Sequence, residues 1–144
     1  MAQSMLHVHN THLITFLKYV DMEYNEELNY TAFKRYCKTL ELRDDADLIA
    51  AYKLAHAKGN TWPEINQGMM EVGILDMEIY IYGTKLFMIM DTVPDFNHDE
   101  AMKVLATKPR QSEWEKHMAR FQDTSENATA DEKWQLMERI YKLD

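Results

Sequence analysis

The sequence predicts an α+β domain with the element order βαββαβ, in which a four-stranded antiparallel sheet carries its helices on one face. Three observations predict it. Two apolar, β-rich runs, Ile74 to Tyr82 and Lys85 to Met90, flank Gly83-Thr84, a two-residue turn of the kind that closes a hairpin. Stretches of helical period lie before and after this hairpin, each preceded by capping residues. An alternating run opens the pattern and a mixed run closes it, so the hairpin sits at the centre of a split arrangement.

In chain order, Leu13, Phe16, Leu17 and Val20 follow helical spacing and suggest a short helix, after which Asp21 to Tyr30 is polar and irregular. Met22 is itself a plausible start, and residues 1–33 are expected to form an extension to a domain spanning 34–144. Tyr36, Leu40 and Leu42 fall on one side of the first strand. Asp44, Asp45 and Asp47 place negative charge at the start of a helix that puts Leu48, Ala51, Tyr52 and Ala55 on one face and runs to Gly59. Thr61-Trp62-Pro63-Glu64 reads as a capping box for a second helix bearing Ile65, Met69 and Val72 and ending at Gly73. Strands two and three follow. Asn97 caps a helix with Ala101, Met102 and Leu105 inward, and Pro109 opens another in which Trp114, Met118 and Phe121 form a stripe. Thr129-Ala130-Asp131-Glu132 is a further capping box, predicting one helical turn and then strand four over Leu136 to Leu143.

In strand three, Leu86, Met88 and Met90 point one way and Phe87 and Ile89 the other. Both faces of the sheet are therefore apolar, which predicts a homodimer. The 144 residues suit a single domain, and a net charge of −8 without a basic cluster excludes nucleic acid as a natural partner. Cys37 is the only cysteine, so no intrachain disulfide and no cysteine zinc site can form. No apolar stretch reaches membrane-spanning length, and the sequence predicts a soluble cytoplasmic protein.

Tyr52 and His56 are one helical turn apart, which sets a phenol beside an imidazole; histidine is the natural group for mild acid–base chemistry near neutrality. An isolated pair of this kind is more often packing than machinery. Trp114 beside Glu115 offers a flat surface for sugar C–H faces and an acceptor for hydroxyls, although its stripe also suits a core. His7, His9 and His12 have metal-like spacing but lack a carboxylate to complete a set, and the many methionines read as adaptable core filler. No phosphate-binding loop, dinucleotide fingerprint or nucleophile elbow is present, so no cofactor is expected.

Tyr52-Lys53-Leu54-Ala55-His56, then Trp62-Pro63-Glu64-Ile65, Gly73-Ile74, Glu78-Ile79-Tyr80, Leu86-Phe87 and Trp114 with Met118 together resemble the L-rhamnose mutarotase family, from about Tyr36 to Leu143. The resemblance implies a ferredoxin-like fold assembled as a dimeric α/β barrel. It implies that His56 is the proton donor, Tyr52 a sugar-binding tyrosine, and Trp114 the first of two substrate-lining positions. Glu115 stands where the family often has a second Trp, and Met77 where it has a substrate-contacting Tyr. The implied reaction is anomer interconversion of a 6-deoxy hexose, L-fucose or L-rhamnose, with the two departures favouring L-fucose. A non-catalytic ligand-binding dimer and a cofactor-independent monooxygenase of the same barrel type are the alternatives.

Overall fold

The computed structural model describes residues 22–144. The chain divides into two compact units, and the second, Ala32–Asp144, holds every element described below. The Leu13 to Val20 stripe and His7, His9 and His12 lie outside the described residues. Strands β1 (Lys34–Glu41), β2 (Ile74–Tyr82), β3 (Lys85–Thr92) and β4 (Gln135–Leu136) form one antiparallel sheet in the order β2-β3-β1-β4. That is the ferredoxin-like arrangement, with helices α1 (Ala46–Ala55) and α2 (Pro63–Glu71) in the first crossover and α3 (His98–Leu105), α4 (Gln111–Met118) and α5 (Ala130–Lys133) in the second.

Register decides which side chains meet the helices. Leu40 pairs with Leu86 and Lys38 with Met88 across β1 and β3, while Met88 pairs with Ile79 of β2, so these positions share a face. Leu40, Leu42, Leu86, Met88 and Met90 are buried there against Tyr52, Ile65, Trp114, Met118 and Phe121. On the opposite face Phe87 and Ile89 are only half-buried and take no part in that core. The hairpin turns where predicted, with Gly83 at φ 63°, a conformation that suits a residue without Cβ. Gly73 is bound by space as well: at φ 102°, an added Cβ would lie 2.9 Å from Val93 Cγ2.

Asp45 caps α1 by accepting from the amides of Asp47 and Leu48, each at 3.0 Å, and the Asn97 side chain accepts from the Glu100 amide to cap α3. The Thr129–Glu132 capping box forms as read. Four details differ from the sequence reading. Helix α1 ends at Ala55 instead of reaching Gly59, because the Asn60 side chain donates to the Leu54 carbonyl at 2.7 Å and the chain turns; Ala51 is exposed and Ile49 takes an inward place. The Thr61 capping box does not form, since Pro63 holds Trp62 in an extended conformation and makes Trp62 the cap residue, leaving Thr61 one position too early. Pro109 does not open α4; Arg110, left-handed at φ 61°, intervenes, and the helix begins at Gln111. Strand four is two residues long rather than Leu136 to Leu143. The Met137 amide still donates to the Cys37 carbonyl at 2.8 Å, but the chain beyond finds no neighbouring strand for its peptide groups, and Ile140 is 90% exposed.

Candidate active site

The C-terminal end of α1 delivers the central pair. Tyr52 is buried, 4% exposed, because it faces the sheet from the last full turn of the helix. His56 follows as the C-cap residue, its ring centroid 4.2 Å from that of Tyr52 and 5.5 Å from that of Trp114. His56 Nδ1 lies 2.9 Å from the Tyr52 carbonyl oxygen. A carbonyl can only accept, so Nδ1 carries the proton and the neutral ring keeps Nε2 as an acceptor. Burial pushes the imidazole below its ordinary range, opposed in part by that carbonyl bond.

The Tyr52 phenol hydrogen-bonds the Gln122 side chain, and burial followed by the negative charge of Glu115 pushes its ionisation well above the usual phenol range. It is a hydroxyl at any ordinary pH. Both groups line a cavity of about 290 Å³ between the sheet and the helices, together with Trp114, Trp134, Gln111 and Gln122. Much of its apolar wall is methionine: Met69, Met77, Met88, Met90, Met102 and Met118. A neighbouring hollow of about 310 Å³ shares Gln111 and Glu115 but contains neither Tyr52 nor His56.

Glu115 sits at the cavity in a fixed posture. Its Oε1 accepts from Gln111 Nε2 at 2.9 Å, and its Oε2 accepts from Lys133 Nζ at 2.6 Å. The Lys133 side chain is fully enclosed, and it also donates to the Glu115 main-chain carbonyl at 2.8 Å. The ion pair therefore anchors α5 to α4, and each carboxylate oxygen retains capacity for a further donor. Trp62 lies outside the cavity lining. Its ring stacks on His117 at 5.8 Å with Arg110 4.0 Å above it, in accord with a structural role.

The four residues singled out from sequence, Tyr52, His56, Trp114 and Glu115, thus border one cavity. Four polar side chains that the sequence reading passed over border it as well, Asn66 of α2 among them. Lys38 projects from β1, and Gln111 and Gln122 each present an Oε1 that is buried and without a hydrogen-bond partner. Buried polar atoms are normally satisfied, so two orphaned acceptors in one cavity wall are places for a donor-bearing ligand. Lys38 had a visible signal, a charged residue on the apolar side of an alternating strand; the glutamines had none.

Comparison with known proteins places the chain in a family. A family model described as L-rhamnose mutarotase matches residues 35–143. An L-fucose mutarotase of Xanthomonas campestris pv. campestris is 37% identical over 114 residues, covering 78% of this chain and 90% of that one. A UPF0734 protein of Dictyostelium discoideum is 35% identical over 117 residues, covering 78% and 91%. The crystal structure of an L-rhamnose mutarotase from Formosa agariphila superposes with a TM-score of 0.58 at 20% identity, over 77% of this chain and 99% of its own, which speaks to the fold. The βαββαβ order, the sheet topology and the match across residues 35–143 lead to one conclusion: the chain belongs to the L-rhamnose mutarotase family, isomerases that interconvert sugar anomers.

Proposed function

We propose that this protein interconverts the α and β anomers of a 6-deoxy hexose, L-fucose before L-rhamnose, by acid–base ring opening in the cavity beside His56. The observation that carries the reading is the neutral His56, with an acceptor at Nε2, in a small cavity whose wall also holds the unpaired amide oxygens of Gln111 and Gln122. A pyranose opens when its anomeric hydroxyl loses a proton and its ring oxygen gains one; the aldehyde then turns about its C1–C2 bond and recloses on the other face. His56 takes the first proton and returns it on closure, so it acts as base and then as acid. Tyr52 donates to a sugar hydroxyl, Gln111 and Gln122 accept from others, and Trp114 covers an apolar face. Glu115 accepts from a hydroxyl with its remaining lone pairs. No cofactor or metal enters the scheme.

We place the catalytic domain at 34–144, with 1–33 as an extension, and the protein in the cytoplasm as a homodimer. Support for the dimer comes from the half-buried Phe87 and Ile89 and from the exposed Ile140, Tyr141 and Leu143. No helix among the described residues is long and apolar enough to cross a membrane.

The preference for L-fucose rests on Met77 and Glu115, which offer a thioether and a carboxylate in place of aromatic surfaces; the Xanthomonas relative bears that sugar in its name. One unpaired buried polar group costs about 1 to 3 kcal/mol, enough to discriminate by hydroxyl geometry. Saturation-transfer NMR on the two sugars side by side tests this. Faster exchange of L-fucose is expected; a rhamnose rate equal or higher refutes the preference, and an unchanged ratio in Glu115→Trp removes Glu115 as its cause. Sugar binding without faster exchange would favour a binding module, and oxygen consumption with an aromatic substrate a monooxygenase.

A further inference from the structure

Lys38 is the most deeply buried charged residue that the scheme above leaves unused. It is 1% exposed and sits midway along β1, with Met88 of β3 and Leu136 of β4 as its register partners. Apolar side chains occupy the flanking positions on its face, Leu40 and Tyr36. The carboxylates of Asp131 on α5 and Asp99 on α3 act on its ammonium through space, and burial outweighs them. A charge buried in such surroundings weakens the fold, and an alternating strand would be more stable with an apolar residue there. The cavity that receives it is the one lined by His56.

Ring opening has two proton transfers, and His56 accounts for one. It accepts at the anomeric hydroxyl, which leaves the ring oxygen in need of a donor. On the mutarotase reading, we propose that Lys38 is the second catalytic group, the acid that protonates the ring oxygen while His56 takes the anomeric proton. In the forward step the anomeric O–H bond breaks toward His56 Nε2, its electrons form the C1 carbonyl, and the C1–O5 bond breaks. The electron pair of that bond goes to O5, which takes a proton from the Lys38 ammonium. On closure O5 returns its proton to the Lys38 amine as it attacks C1 from the other face, and the carbonyl oxygen recovers the proton of the His56 imidazolium. Nothing is gained or lost over the cycle.

The other groups facing the cavity are otherwise engaged. Tyr52 on α1 holds its proton, and Glu115 on α4 is tied to Lys133 and Gln111. Asp131 and Asp99 raise the lysine slightly and oppose the larger effect of burial, which moves it below the ordinary lysine range. An acid shifted toward neutrality transfers its proton more readily than an ordinary lysine.

The test compares wild type with Lys38→Met, an uncharged side chain of similar length, using L-fucose as probe. Exchange is followed by NMR from about pH 5 to about pH 10, a range spanning both expected limbs, and affinity by calorimetry. The variant is expected to lose exchange by about a hundredfold or more, to lose the alkaline limb, and to keep sugar affinity within a few-fold. Its melting temperature should equal or exceed wild type, since a buried charge has gone. Wild-type exchange in the variant, persistence of the alkaline limb, or weaker binding with an unchanged rate at saturation would each overturn the assignment. Should Lys38→Met be insoluble, Lys38→Gln keeps a donor with no transferable proton and must show the same loss. A wild-type protein that accelerates no deoxy sugar refutes the mutarotase reading itself, before Lys38 is in question.

Discussion

The role proposed for His56 depends on where α1 stops. Had the helix continued to Gly59, the imidazole would have kept an ordinary place on a helical face; ending at Ala55 makes His56 the cap residue and aims Nδ1 at the Tyr52 carbonyl. Replacing it by Gln should lower anomer exchange by about a hundredfold while far-UV circular dichroism stays unchanged, and a folded His56→Gln protein with full exchange would dispose of its role. The pH dependence has a definite sign. Because burial depresses the folded imidazole below its unfolded value of 6.5, exchange is expected to hold through neutrality and to fall only as acid reaches the lowered range. The same shift contributes stability that is present above that unfolded value and lost as pH falls through the depressed one, which titration of melting temperature against pH would trace in wild type and not in the Gln variant. Tyr52, His56 and Trp114 were legible because spacing and residue type both mark them. Gln111 and Gln122 were not, since an amide on a helix or in a loop leaves no periodic trace, and only the enclosed carbonyl reveals its use.

Among the elements, the short α5 depends on a single lysine. Lys133 crosses to Glu115 with its side chain fully enclosed, and the same turn directs Trp134 into the core. Removing one partner of a buried pair leaves the other charge uncompensated, so Lys133→Met should cost about 3 kcal/mol in chemical denaturation; a change within experimental error would show the pair to be incidental. Helix starts were readable where local capping decides, as at Asp45, Asn97 and the Thr129–Glu132 box. They were misread at Thr61 and Pro109: Pro63 moves the first cap to Trp62, and the left-handed Arg110 moves the second helix start to Gln111. Arg110 lies over the Trp62 ring and pairs with Glu64 and Glu113, so the two starts are in contact. Strand four was overextended because a mixed apolar run carries a strand's composition whether or not an edge is available to receive it.

For the whole molecule, a sheet with helices on one side leaves Phe87 and Ile89 facing outward. Ile89→Asp is expected to yield monomer or insoluble protein, and light scattering that finds wild type monomeric at micromolar concentration would end the dimer proposal. The fold as a whole followed from the hairpin and its flanking helices, but the buried lysine in the cavity wall did not: scanning for apolar alternation in β1 passes over Lys38 as an interruption. The six methionines of the cavity wall have a consequence for the reaction path. In the proposed reaction the substrate changes shape during turnover, from ring to open chain, through a swing about C1–C2, to the other ring. Branched or aromatic walls would clasp one of these forms and hold it. Unbranched thioethers shift among rotamers at little cost, so this lining yields in turn to each shape and leaves the fixed polar groups to keep the sugar in place.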